Sequence, residues 1–140
     1  MSESKFIESI QCRFPYRDRS RALELAGVAC SISPNAAFAV ADEVSRPPYG
    51  DSTDPIICTE VLNYLDAHLH HPLAESVLAL ARTLVSDESV SVETSINVLR
   101  QIEAFPGQYA ALSIAYFAPD DTQGLADAEY NRIRAVWDAP

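Results

Sequence analysis

Strand signals are nearly missing from this sequence of 140 residues: it has no clean period-two alternation, no Asn-Gly or Asp-Gly hairpin pair and few β-branched runs. A β-sheet protein is therefore excluded as an expectation. Glycine is scarce too. Gly27, Gly50, Gly107 and Gly124 are scattered, so no GxGxxG or GxxxxGK[ST] loop cradles a phosphate, and no GxSxG elbow presents a nucleophilic serine. The three cysteines, Cys12, Cys30 and Cys58, are odd in number and too far apart for a CxxC knuckle or a disulfide framework. Reduced thiols suit a cytosol. No stretch approaches 18 consecutive apolar residues, and the N-terminal residues lack the apolar core of a signal peptide, so a cytoplasmic protein that crosses no membrane is expected.

Bases are the other scarcity. Ten Lys and Arg face twenty Asp and Glu, giving a net charge of −10. The imbalance is uneven: residues 1–21 carry five bases against three acids, whereas 22–140 carry five against seventeen. A body of that sign repels phosphate backbones, which argues against a nucleic-acid partner. It also speeds encounter with a basic protein.

What the chain has is helical periodicity. In 55–71, Cys58, Val61, Leu62, Leu65 and Leu69 follow the i, i+3, i+4 rule. Asp54-Pro55 and Ser33-Pro34 each pair an N-cap with proline at the first helical position, where its missing N–H costs nothing. Ser91 and Glu93 open a further helix. Eight helices are predicted, near 3–13, 18–32, 35–46, 55–71, 73–86, 92–104, 107–118 and 124–138, with 45–54 as the longest loop. Together they form one all-α domain spanning 1–140.

Pro34, Pro72 and Pro106 each stand between an amphipathic helix and one rich in Ala, Leu and Val, at intervals of 38 and 34 residues. On these prolines and on "LDAHLHHPLAESVLALARTLV", residues 18–118 resemble HEAT-like α-helical repeats. The resemblance implies antiparallel hairpins stacked as a short solenoid. The chain departs from that pattern in lacking a regular Asp/Arg pair, and an irregular helical bundle is the alternative. The last helix reads as the solenoid's cap, with Ala126, Tyr130, Ile133, Val136 and Trp137 on one side.

All three histidines fall within "HLHH". A helix running to residue 71 puts His68 and His71 on one flank with Glu60 and Tyr64, two ligands at i, i+3 for a metal-dependent or small-ligand enzyme. No HExxH motif or Cys/His spacing supports it, and cations closing a helix C-terminus explain the cluster more simply. No cofactor is expected.

The expectation for function is a non-catalytic protein–protein interaction module with a basic protein as partner. Its contacts would be the carboxylates Asp42, Glu43, Asp66 and Glu75 and the tyrosines Tyr49, Tyr109 and Tyr116, tyrosine being a favoured anchor. Small, acidic helical proteins of this kind look like bacterial immunity proteins, which implies an inhibitor that neutralises a basic toxin. Self-association into a homodimer through the apolar helix 107–118 is a further expectation.

Overall fold

The computed structural model describes residues 2–11, 13–46 and 54–140. Tyr49, most of the predicted 45–54 loop and Cys12 lie outside the described residues. Eight helices and no strand occur among the described residues: α1 (Glu3–Ile10), α2 (Arg19–Ile32), α3 (Pro34–Ser45), α4 (Pro55–His68), α5 (Ala74–Val85), α6 (Val92–Glu103), α7 (Tyr109–Phe117) and α8 (Leu125–Trp137).

The caps explain where most of them start. Asp18 accepts from Arg21 N at 3.1 Å, Ser33 from Ala36 N at 3.0 Å, Asp54 from Ile56 N at 2.9 Å and Ser91 from Thr94 N at 3.1 Å. Each satisfies one of the N–H groups that a helix leaves unpaired at its start, a contribution of about 1 kcal/mol. Ser33 both closes α2 and caps α3, so the turn between them is a single extended residue. For α8 the cap comes from outside the helix: Asp121 accepts from Leu125 N at 2.8 Å and Asp127 N at 3.0 Å. Left-handed Gly124 (φ 71°) makes that turn possible.

Two boundaries differ from the sequence reading by three residues, the others by two or fewer. α1 ends at Ile10, not 13, and α4 ends at His68, not 71. In α4 the chain turns extended at Leu69, whose N–H still reaches Leu65 O at 2.7 Å and whose side chain is buried. Pro72 disfavours helical backbone at His71 and supplies no N–H to the preceding turn, but it does not require an end at His68. Burial of Leu69 moves the helix end earlier.

Pro34 opens α3, and Pro72 and Pro106 lie between helices; at each proline the flanking helices pack as a pair, α2 with α3, α4 with α5 and α6 with α7. The centre of the molecule is α3, which touches α1, α2, α4, α5 and α7. Its sequence, PNAAFAVADEVS, shows why it can: four alanines let neighbouring backbones approach, and Phe38 and Val40 fill what remains. The buried set continues through Phe6, Leu62, Leu65, Leu78, Leu99, Leu112 and Ile114. Fully burying one such side chain contributes about 1.5–3 kcal/mol. Cys58 is buried and Cys30 half-buried, and burial raises both thiols above the usual value.

Helix α8 lies against α6 and α7. Ala126 and Ile133 are buried, and Trp137 Nε1–H donates to Glu103 O at 3.2 Å. Val136, expected on the inward side, is exposed.

Candidate functional site

Asp42 and Glu43 stand side by side in the last turn and a half of α3, where that helix emerges from the core. Both are half-buried. Glu43 accepts a hydrogen bond at 2.7 Å from the hydroxyl of Tyr16, itself buried in the turn between α1 and α2. Asp42 pairs with Arg46, one helical turn on, with Nε at 2.9 Å. The Arg46 guanidinium also donates to Ser113 Oγ of α7 at 3.0 Å and lies 4.0 Å from the centre of the Phe117 ring.

Burial is the largest influence on both carboxyls. It holds Asp42 above its ordinary pKa although Arg46 and Ser113 pull the other way. It raises Glu43 against the Tyr16 hydrogen bond, with the Asp42 charge adding to the rise. The pair is short of positive charge.

The two carboxyls face a cleft of about 210 Å³ between α1, α3 and α7, which Ile7, Gln11, Asn35, Tyr109 and Ser113 also line. Asn35 is fixed by its own duty: its Oδ1 accepts from Ala110 N at 3.0 Å, capping α7, whose Gln108 makes no side-chain cap. Tyr109 is 39% exposed. Its hydroxyl donates to Asp138 at 2.8 Å, its ring meets Trp137 edge-on at 5.3 Å, and the Arg134 guanidinium lies 4.9 Å from its centre.

So three expected partner contacts, Asp42, Glu43 and Tyr109, surround one cleft. The others stand apart. Asp66, exposed near the end of α4, lies 3.6 Å from Arg82. Glu75 is exposed in the first turn of α5. The Tyr116 ring packs on Phe117 at 4.6 Å and Tyr130 at 4.7 Å, and its hydrogen bond to Asp127 raises its hydroxyl pKa.

The histidine flank does not form, because residue 71 is outside α4. His68 stacks on Tyr64 at 4.0 Å, and its Nδ1–H donates to Tyr64 O at 2.8 Å. The ring of His71 turns to Phe38 and Phe105, with centroids 5.8 and 4.9 Å away. Its Nδ1 accepts from Leu73 N at 3.1 Å, and burial lowers its pKa. Glu60 is engaged by Arg19. Among the described residues no three His, Cys, Asp or Glu side chains gather as a metal ion would require.

Sequence reasoning missed Tyr16, Asn35, Arg46 and Ser113. Two had a signal: Arg46 follows Asp42 at i+4, and Asn35 is polar at the head of an alanine-rich helix. Tyr16 and Ser113 reach the site only through packing.

Among the described residues no helix is long and apolar enough to cross a membrane. No known protein family, curated protein or solved structure matches the chain.

Proposed function

We propose that this chain is a non-catalytic, acidic interaction module that holds a basic protein by taking one of its arginine or lysine side chains into the α1–α3–α7 cleft. The observation that carries the reading is the under-compensated pair at the cleft wall. Burial outweighs Arg46 at Asp42 and Tyr16 at Glu43, so both carboxyls gain from an added cation. A guanidinium entering beside them restores the missing charge where water is partly excluded. Size agrees: about 210 Å³ admits one long side chain, below the range of coenzyme and drug-sized pockets. The net charge of −10 would steer such a partner. Neutralising a basic toxin is one use that fits. In this reading the helix pairs form a curled HEAT-like stack, α8 serving as its cap.

The test is to immobilise the chain, capture proteins from its own cells, elute with a salt step and repeat with two variants. Glu43→Gln keeps an acceptor for Tyr16 but removes the charge; Glu75→Gln removes an exposed carboxylate elsewhere. A basic protein released by salt, bound at least about tenfold more weakly by Glu43→Gln (about 1.4 kcal/mol) and undiminished by Glu75→Gln, supports the reading. A partner indifferent to both salt and Glu43→Gln overturns it.

A further inference from the structure

The proposed cleft leaves the charge asymmetry of the sequence unused: the bases of the net-positive stretch 1–21 play no part in holding a basic partner. Its place in the fold gives it a different surface. Helices α1 and α2 and the turn joining them wall a groove of about 360 Å³, floored by Phe6 and Ile10 and flanked by Leu25 and Val28. Phe6 and Ile10 are one turn apart on α1, and Leu25 and Val28 are three apart on α2, so the apolar lining runs along both helices. Val28 is 38% exposed.

The rim is cationic. Arg13 and Arg21 both line the groove. Arg13 makes no ion pair among the described residues. Arg21 pairs at 2.8 Å with Glu24, but both side chains are more than half exposed, so that pair is easily exchanged for another carboxylate. An apolar channel between two helices suits a third helix, whose anchors one turn apart would lie along it. The charges select its sign.

We propose that the α1–α2 groove docks an acidic amphipathic helix of a partner protein, its apolar side chains over Leu25 and Val28 and its carboxylates against Arg13 and Arg21. The chain then has two docking surfaces of opposite preference, one for a cationic side chain and one for an anionic helix. The local positive charge decides the second, because the acidic body beyond about 8–10 Å is screened at physiological salt.

The probe is a synthetic peptide of about 14 residues, four helical turns, with leucines at i, i+3, i+4 and i+7 and glutamates on both flanks. Its control carries lysines in place of the glutamates. Titrated into isotopically labelled protein, the glutamate peptide is expected to shift the backbone amides of Leu25 and Val28. Binding should weaken several-fold from low to physiological salt, and about tenfold or more in Arg13→Glu and in Val28→Glu. Both substituted side chains are exposed, so these variants retain the fold, which circular dichroism checks. Glu43→Gln should leave the peptide's affinity unchanged, which separates this site from the cleft. The assignment is overturned if no saturable shift appears by about 1 mM peptide, the affinity at which binding contributes only about 4 kcal/mol. Equal binding of the lysine control overturns it too. So does self-association abolished by Arg13→Glu without peptide binding, because that gives the groove to a second copy.

Discussion

Asp42 of α3 and Glu129 of α8 are similarly covered, with 19% and 14% of their side chains exposed, yet burial raises the first and arginines lower the second. The difference lies first in the depth of protein around each, much greater at Asp42, and then in their company. Glu129 accepts from Arg132 at 2.7 Å and Arg100 at 3.3 Å, and Arg132 also grips Glu103 with two bonds of 2.7 and 3.0 Å. Asp42 has a single arginine, Arg46, with the Ser113 hydroxyl beside it, and protein on several sides. Two carboxylates of similar surface exposure thus do opposite things to the fold: one is a settled structural charge, the other a standing deficit. In this acidic protein, the informative carboxylates are those the arginines leave short.

Removing the deficit's one cation should have the largest effect. Arg46→Ala strands Asp42 and also loses the contacts to Ser113 and Phe117. Urea denaturation is expected to register about 2 kcal/mol of destabilisation, below the cost of orphaning a fully buried charge. An unchanged midpoint would mean that solvent already serves Asp42.

The pH response sharpens the contrast because the two regions have opposite signs. A carboxyl raised in the fold binds its proton more readily there than in the unfolded chain. Asp42 and Glu43 therefore contribute stability that is full below the unfolded carboxyl pKa and is lost as pH rises through their folded values. Glu103, Glu129, Asp121 and Asp138 are lowered, so their contribution is present above the unfolded value and is lost as pH falls through the folded ones. Glu43→Gln is expected to stabilise the protein at pH 7 by under about 1 kcal/mol and by less at pH 4, since solvent screens a half-buried group. Thermal melts at the two pH values measure it. A larger gain at pH 4 would reverse the assignment.

Arg132→Ala loosens the exposed lattice and should lower the melting temperature less than Arg46→Ala does. Its effect should vanish near 1 M salt, where the screening length is about 3 Å. The smallest change concerns a carboxylate that the backbone tolerates poorly. Asp87 follows α5 with φ 56°, in a turn closed by Asp87 N to Leu84 O and Glu88 N to Thr83 O, both at 3.1 Å. Glycine is the residue that such a turn favours, so Asp87→Gly is expected to gain about 0.5 kcal/mol.

The helices were legible because their signals are local. Ser33-Pro34, Asp54-Pro55 and Ser91 start helices where the sequence says, and three prolines mark the turns within the packed pairs. The end of α4 was not, since Leu69 leaves the helix to fill the core, a choice made by distant residues. The cleft was half legible. Asp42, Glu43 and Tyr109 stand out as acids and an anchor, but their convergence depends on α1 and α7 flanking α3 from positions far along the chain. The same dependence made His71 a misleading candidate: Phe38 and Phe105 set its orientation, not the spacing to His68.

The hydrogen bond from Ala110 N to Asn35 has a consequence in time. It spans 75 positions of sequence, and it supplies the start of a nine-residue helix that lacks a side-chain cap of its own. A helix so short barely forms in isolation. The segment 109–117 therefore becomes helical on the surface of α3, late in folding, after a long loop has closed. Until those residues leave the ribosome, the alanine-rich α3 waits with one flank uncovered. A pause in translation between codons 46 and 109 is expected to prolong that exposure.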